Sequence, residues 1–112
     1  MYINNSTPNG QIFFCFRYNL YHLEFGNLFF RLSHEELTKL SEYICSIDYN
    51  FYLEKNQHSR NRRKLLIHID AGNKFMALNK EEFLELRNLL TDNKKPGITD
   101  NINLNDYNTQ LN

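Results

Sequence analysis

Displaced against itself by 46 positions, the chain matches without a gap: residues 22–37 (HLEFGNLFFRLSHEEL) lie over residues 68–83 (HIDAGNKFMALNKEEF). The histidine, the Gly-Asn pair, a Phe, a Leu and the Glu-Glu pair are identical, and Leu40 and Leu86 continue the match into the following segment. An internal repeat of this length restricts the fold to one that uses the same supersecondary unit twice.

Within each copy the pattern changes from period 2 to period 3.6. Tyr21, Leu23 and Phe25 alternate with His22 and Glu24, and Leu28, Phe30 and Leu32 alternate with Phe29 and Arg31, as two half-buried strands require. Gly26-Asn27 separates them as a two-residue hairpin turn, since glycine accepts positive φ at the first turn position. That turn sets the register: Phe25 opposite Leu28 and Leu23 opposite Phe30 on the core side, Glu24 opposite Phe29 and His22 opposite Arg31 on the other. Ser33 with Glu36, and Asn79 with Glu82, then mark two helix starts through the capping-box spacing. Leu37, Leu40, Ile44 and Ile47 form one apolar stripe, with Phe83, Leu86 and Leu90 as its counterpart.

Upstream of each hairpin stands a further strand candidate, residues 12–16 in the first copy and 49–53 in the second. The fold expected is therefore α+β, with two pseudo-symmetric strand-strand-strand-helix repeats (about 11–47 and 48–92) forming one antiparallel sheet with two helices on one face. Residues 11–92 form a single domain in this reading. Residues 1–10 are expected to be loose, and residues 93–112 to be a disordered Asn-rich tail.

At 112 residues, the chain has material for one modest core. Thirteen basic residues balance thirteen acidic ones, so no overall field draws it to nucleic acid or to an anionic membrane. No stretch approaches the roughly 18 apolar residues of a spanning helix, and no export signal precedes the repeat. The expectation is a cytoplasmic protein with no membrane role, whose Cys15 and Cys45 stay reduced.

The chain resembles a family of small bacterial proteins, a domain of unknown function with a Phe-Gly hairpin and a Ser/Thr-Glu-Glu helix start. Cys15, Leu23, Phe25-Gly26-Asn27, Leu32-Ser33, Glu35-Glu36, Asn73, Leu78 and Glu81-Glu82 carry the resemblance, over roughly residues 12–91. Tyr18 stands where that family's pattern has a second cysteine, and the resemblance implies no known activity.

Three groups of residues suggest functions of different classes. Phe29 and Phe75 occupy the strand face opposite the core, where grouped aromatic side chains indicate a surface that a partner covers. The preferred reading is thus a non-catalytic interaction or adaptor protein, with a homodimer or another protein as partner. Lys55, Arg60, Arg62, Arg63 and Lys64, near Tyr49, Phe51 and Tyr52, offer an alternative nucleic-acid-binding loop over residues 55–64. His22, Glu24, His68 and Asp70 supply imidazole and carboxylate, ligand types for zinc or iron, and support a metal-binding alternative. No cofactor is called for otherwise. No nucleophile has a partnering base in sequence, no glycine-rich phosphate loop is present, and the Glu-Glu pairs are explained by the positive first turn of a helix.

Overall fold

The structure, a computed structural model, describes residues 2–69 and 72–92. It is α+β, with a four-stranded antiparallel sheet, a two-stranded sheet and three helices among the described residues. The elements follow in the order β1 (Tyr2–Thr7), β2 (Gly10–Cys15), β3 (Leu20–Phe25), β4 (Leu28–Leu32), α1 (His34–Ser46), α2 (Tyr49–Lys55), β5 (Leu65–His68), β6 (Phe75–Leu78) and α3 (Lys80–Asp92). The chain forms two compact units: Met1–Cys45 with Leu86–Asn112, and Ser46–Glu85.

In the first unit, β1 to β4 form a meander in sequence order. Gly26 has φ +60°, and Asn27 keeps a negative φ, so the β3–β4 turn is of the II′ kind that matches the twist of its strands. Phe25 pairs with Leu28, Leu23 with Phe30, Glu24 with Phe29 and His22 with Arg31, in the register expected from that turn. Ile12, Leu23 and Phe25 are buried on one face. The second half of α3 lies there: the Leu89 and Phe25 side chains both close on Gly10, and the Asn5 side-chain amide donates to the Leu89 carbonyl at 2.9 Å. Leu86, Leu89 and Leu90 are buried on this part of α3. Helix α1 starts in a complete capping box, with Glu36 N donating to Ser33 Oγ at 3.1 Å and Ser33 N to Glu36 Oε1 at 2.8 Å. Its buried face is Leu37, Ser41 and Ile44.

In the second unit, β5 and β6 pair Leu65 with Leu78, Ile67 with Met76 and His68 with Phe75. Leu65, Ile67, Met76, Leu78 and Phe83 are its buried residues. Asn79 and Glu82 reproduce the capping box at α3, both bonds at 2.8 Å.

Four expectations change. Residues 49–53 are helical, because the Asp48 carboxylate caps them, accepting from Phe51 N at 3.2 Å. A helix also puts Tyr49 and Leu53, four apart, on the same half-buried side while Phe51 and Tyr52 stay exposed. Without a strand there, the second hairpin has no link to the first sheet, so two sheets replace the single pooled one. The expected loose N-terminus instead supplies β1, which pairs with β2 around Pro8-Asn9 with a register shift between Ile3 and Asn5. The second hairpin is closed by Ile69 N donating to the Lys74 carbonyl, so its loop is longer than Gly26-Asn27, and His68 faces Phe75 rather than Ala77. Asp70 and the tail, residues 93–112, lie outside the described residues.

Candidate functional site: an aromatic sheet face

Strand alternation projects Gln11 and Phe13 from β2, His22 and Glu24 from β3, and Phe29 and Arg31 from β4 onto the sheet face opposite α3. Three rings run across the strands on that face. Phe13 and His22, directly opposite one another, have centroids 4.8 Å apart, and His22 meets Phe29 on the diagonal edge-on at 5.2 Å. The two phenyl groups cover the imidazole so fully that His22 is 6% exposed, and its Nε2 has no hydrogen-bond partner among the described residues. Phe29 itself remains 47% exposed.

Charges of both signs border the row. Gln11 Nε2 donates to Glu24 Oε1 at 2.8 Å, fixing that carboxylate on the Gln11 side. The Arg31 guanidinium lies 5.9 Å from the Phe29 ring centroid and 5.4 Å from that of Tyr18, while Arg17 lies 5.6 Å from Tyr18. Such cation–π contacts are worth about 0.5–1 kcal/mol at exposed sites, enough to bias the orientation of Arg31 along the aromatic surface. Phe29 and Arg31 stand on the face that strand alternation assigns them, but neither Arg31 nor Tyr18 was singled out as a site residue. The signal for Arg31 was its alternation with Phe29 on β4; Tyr18, in the β2–β3 connection, had none.

Phe75 is 41% exposed and lies on β6, in the other sheet, so the two expected interface aromatics do not share a sheet. Its ring is 4.4 Å from that of His68. Each hairpin therefore carries a His-Phe ring contact between positions that the 46-residue displacement equates.

The four expected metal ligands are not assembled. His22 and Glu24 belong to the four-stranded sheet, His68 to the two-stranded one, and Asp70 is outside the described residues. Among the described residues no group of three or more His, Cys, Asp or Glu is placed to hold a metal ion. The buried Nε2 of His22 also offers no ligand position open to solvent.

The basic loop is an organised connection. Asn56 Nδ2 donates to the Lys64 carbonyl at 2.8 Å, closing residues 56–64 into a compact turn. Lys64 Nζ donates to the Ser59 carbonyl. Arg63 makes a bidentate pair with Glu82, at 2.8 and 2.9 Å. That hydrogen-bonded pairing lowers the Glu82 carboxyl from its ordinary value and raises the Arg63 guanidinium. Glu82 thus holds the loop and the α3 cap together. Lys55 lies 6.0 Å from the exposed Phe51 ring, and Arg60 and Arg62 are exposed.

Comparison with known families places this architecture. A model described as Family of unknown function (DUF6686) matches residues 1–112. The chain belongs to that family. The DUF6686 match extends the resemblance carried by residues 12–91 to both ends of the chain, and it includes β1. No curated protein and no solved structure matches the chain.

Proposed function

We propose that this DUF6686 protein is a non-catalytic interaction or adaptor protein that acts through the aromatic face of its four-stranded sheet. The observation that carries the proposal is the Phe13–His22–Phe29 row: large rings in contact across one sheet face, with Phe29 exposed and Arg31 and Glu24 beside them. Protein interfaces concentrate aromatic residues and arginine at their centres with polar groups around them. The His68–Phe75 pair on the second hairpin supports the same use of that unit, and with it the reading of the chain as two related hairpin-helix repeats. The same proposal places the protein in the cytoplasm. No helix among the described residues is long and apolar enough to cross a membrane.

Nucleic-acid binding by the loop at 55–64 is the weaker reading, because Arg63 is already paired with Glu82 and Lys64 already bonded to Ser59. The test is capture of partners by the tagged chain from its native cells, with and without nuclease, beside Phe29→Lys and Phe75→Lys. A nuclease-resistant partner set retained by the native chain and lost with Phe29→Lys is the expected result. A set that vanishes with nuclease, or one indifferent to Phe29→Lys, defeats the proposal.

A further inference from the structure

The four-stranded sheet has two edges of different character. Strand β1 is polar along Asn4-Asn5-Ser6-Thr7 and breaks its register between Ile3 and Asn5, both of which discourage pairing with another chain. Strand β4, Leu28-Phe29-Phe30-Arg31-Leu32, is paired with β3 along its whole length without a register shift, and contains no proline. Among the described strands, β4 is hydrogen-bonded to β3 alone. Its inward side chains Leu28, Phe30 and Leu32 are only half-buried, although Leu23 and Phe25, their neighbours on β3, are buried.

The phase of the ladder identifies which backbone groups this edge presents. Gly26 N donates to the Asn9 carbonyl, continuing the β2–β3 ladder, so the even-numbered residues of β3 turn their amides toward β2 and the odd-numbered ones toward β4. Their partners Leu28, Phe30 and Leu32 therefore bond to β3. The amides and carbonyls of Phe29 and Arg31 point outward.

From this we infer that β4 pairs, antiparallel, with β4 of a second copy of this chain, about a two-fold axis at Phe30. The inference rests on the interaction reading above and names its partner. In that register Phe29 exchanges two hydrogen bonds with Arg31 of the second copy, and Arg31 two with its Phe29, while Leu28 lies opposite Leu32 and Phe30 opposite Phe30. The arginine of each copy thereby reaches the phenyl face of the other, as Arg31 already does within one copy at 5.9 Å. Both symmetry-related contacts are favourable, and no like charges meet. A register offset by one residue would set outward amides against inward ones, so only centres that lie on a residue of β4, rather than between two, satisfy the backbone. Of these, a centre at Phe30 also pairs all five residues.

The experiment is amide hydrogen exchange by NMR on the full chain, from dilute to concentrated solution, with sedimentation on the same samples. The amides of Phe29 and Arg31 should gain protection with concentration as a dimer forms, while those of Leu28, Phe30 and Leu32 are protected throughout. Arg31→Pro removes one outward N–H and leaves the β3–β4 ladder whole; it should abolish both the dimer and the protection at Phe29. Free exchange at Phe29 and Arg31 at every concentration, or a dimer that survives Arg31→Pro, overturns the inference. If those amides stay free while Phe29→Lys still releases captured partners, edge pairing falls and the aromatic interface stands. If they are protected in a dimer while the captured set ignores Phe29→Lys, edge pairing stands and the broader interface falls.

Discussion

Ser41 is buried in the middle of the α1 core face, and its hydroxyl has no hydrogen-bond partner among the described residues. Hydropathy alone pointed to Leu37, Leu40, Ile44 and Ile47 as the buried stripe, yet Leu37, Ser41 and Ile44 face inward, at intervals of four and three. An unsatisfied buried hydroxyl costs about 1–3 kcal/mol, and alanine is also the better helix former. Ser41→Ala should therefore stabilise the protein by about 1 kcal/mol, seen as a higher denaturant midpoint with an unchanged slope. A lower midpoint would mean that the hydroxyl has an essential bonded role. Single residues were most legible where their partner is near in sequence. Ser33 with Glu36 and Asn79 with Glu82 were found because a capping box is complete within four residues, whereas Arg63 and Glu82 are joined by a fold that no local spacing reveals.

At the scale of elements, Gly10 controls how closely α3 approaches the sheet. A methyl group there would lie 2.8 Å from the Glu24 carbonyl oxygen and 2.9 Å from side-chain carbons of Leu89 and Phe25. The carbonyl is held in the β-ladder and cannot move aside cheaply. Gly10→Ala should cost about 1–3 kcal/mol through overpacking, despite the smaller chain entropy that usually favours such a change. Thermal melts would decide it, an unchanged melting temperature showing that α3 can shift without loss. The hairpins were readable because alternation and turn chemistry coincide at Gly26-Asn27. By contrast, Tyr49, Phe51 and Tyr52 are residues with strand preference placed in a helix. The local signal that outweighed their preference was Asp48, a cap whose carboxylate meets the Phe51 amide. Strand β1 was missed because its polar sequence lacks an inward apolar row, although Pro8-Asn9-Gly10 marked the turn beside it.

For the whole molecule, the 46-residue sequence match said nothing about which strands hydrogen-bond to one another. Pairing depends on contacts far apart in sequence. The first unit makes this plain, since it combines Met1–Cys45 with the chain from Leu86 onward. Leu86, Leu89 and Leu90 bury their side chains in it almost completely. At about 1.5–3 kcal/mol each, their removal would forfeit on the order of 5–9 kcal/mol, comparable to the whole stability of a typical domain. A chain stopped after Glu85 should then lose the dispersed amide spectrum of β2 and β3. If those signals persist, the meander is stable without α3.

The discontinuity of that unit also bears on biosynthesis. The meander leaves the ribosome first, with Ile12, Leu23 and Phe25 already aligned on one face, but it ends at Leu32 and the part of α3 that covers them begins only at Leu86. At about 5–20 residues per second, the nascent sheet waits for a time on the order of seconds before its lid exists. During that interval its apolar side is open to chaperones, to aggregation and to neighbouring nascent chains, so the most exposed state in the life of this protein comes before its synthesis is complete.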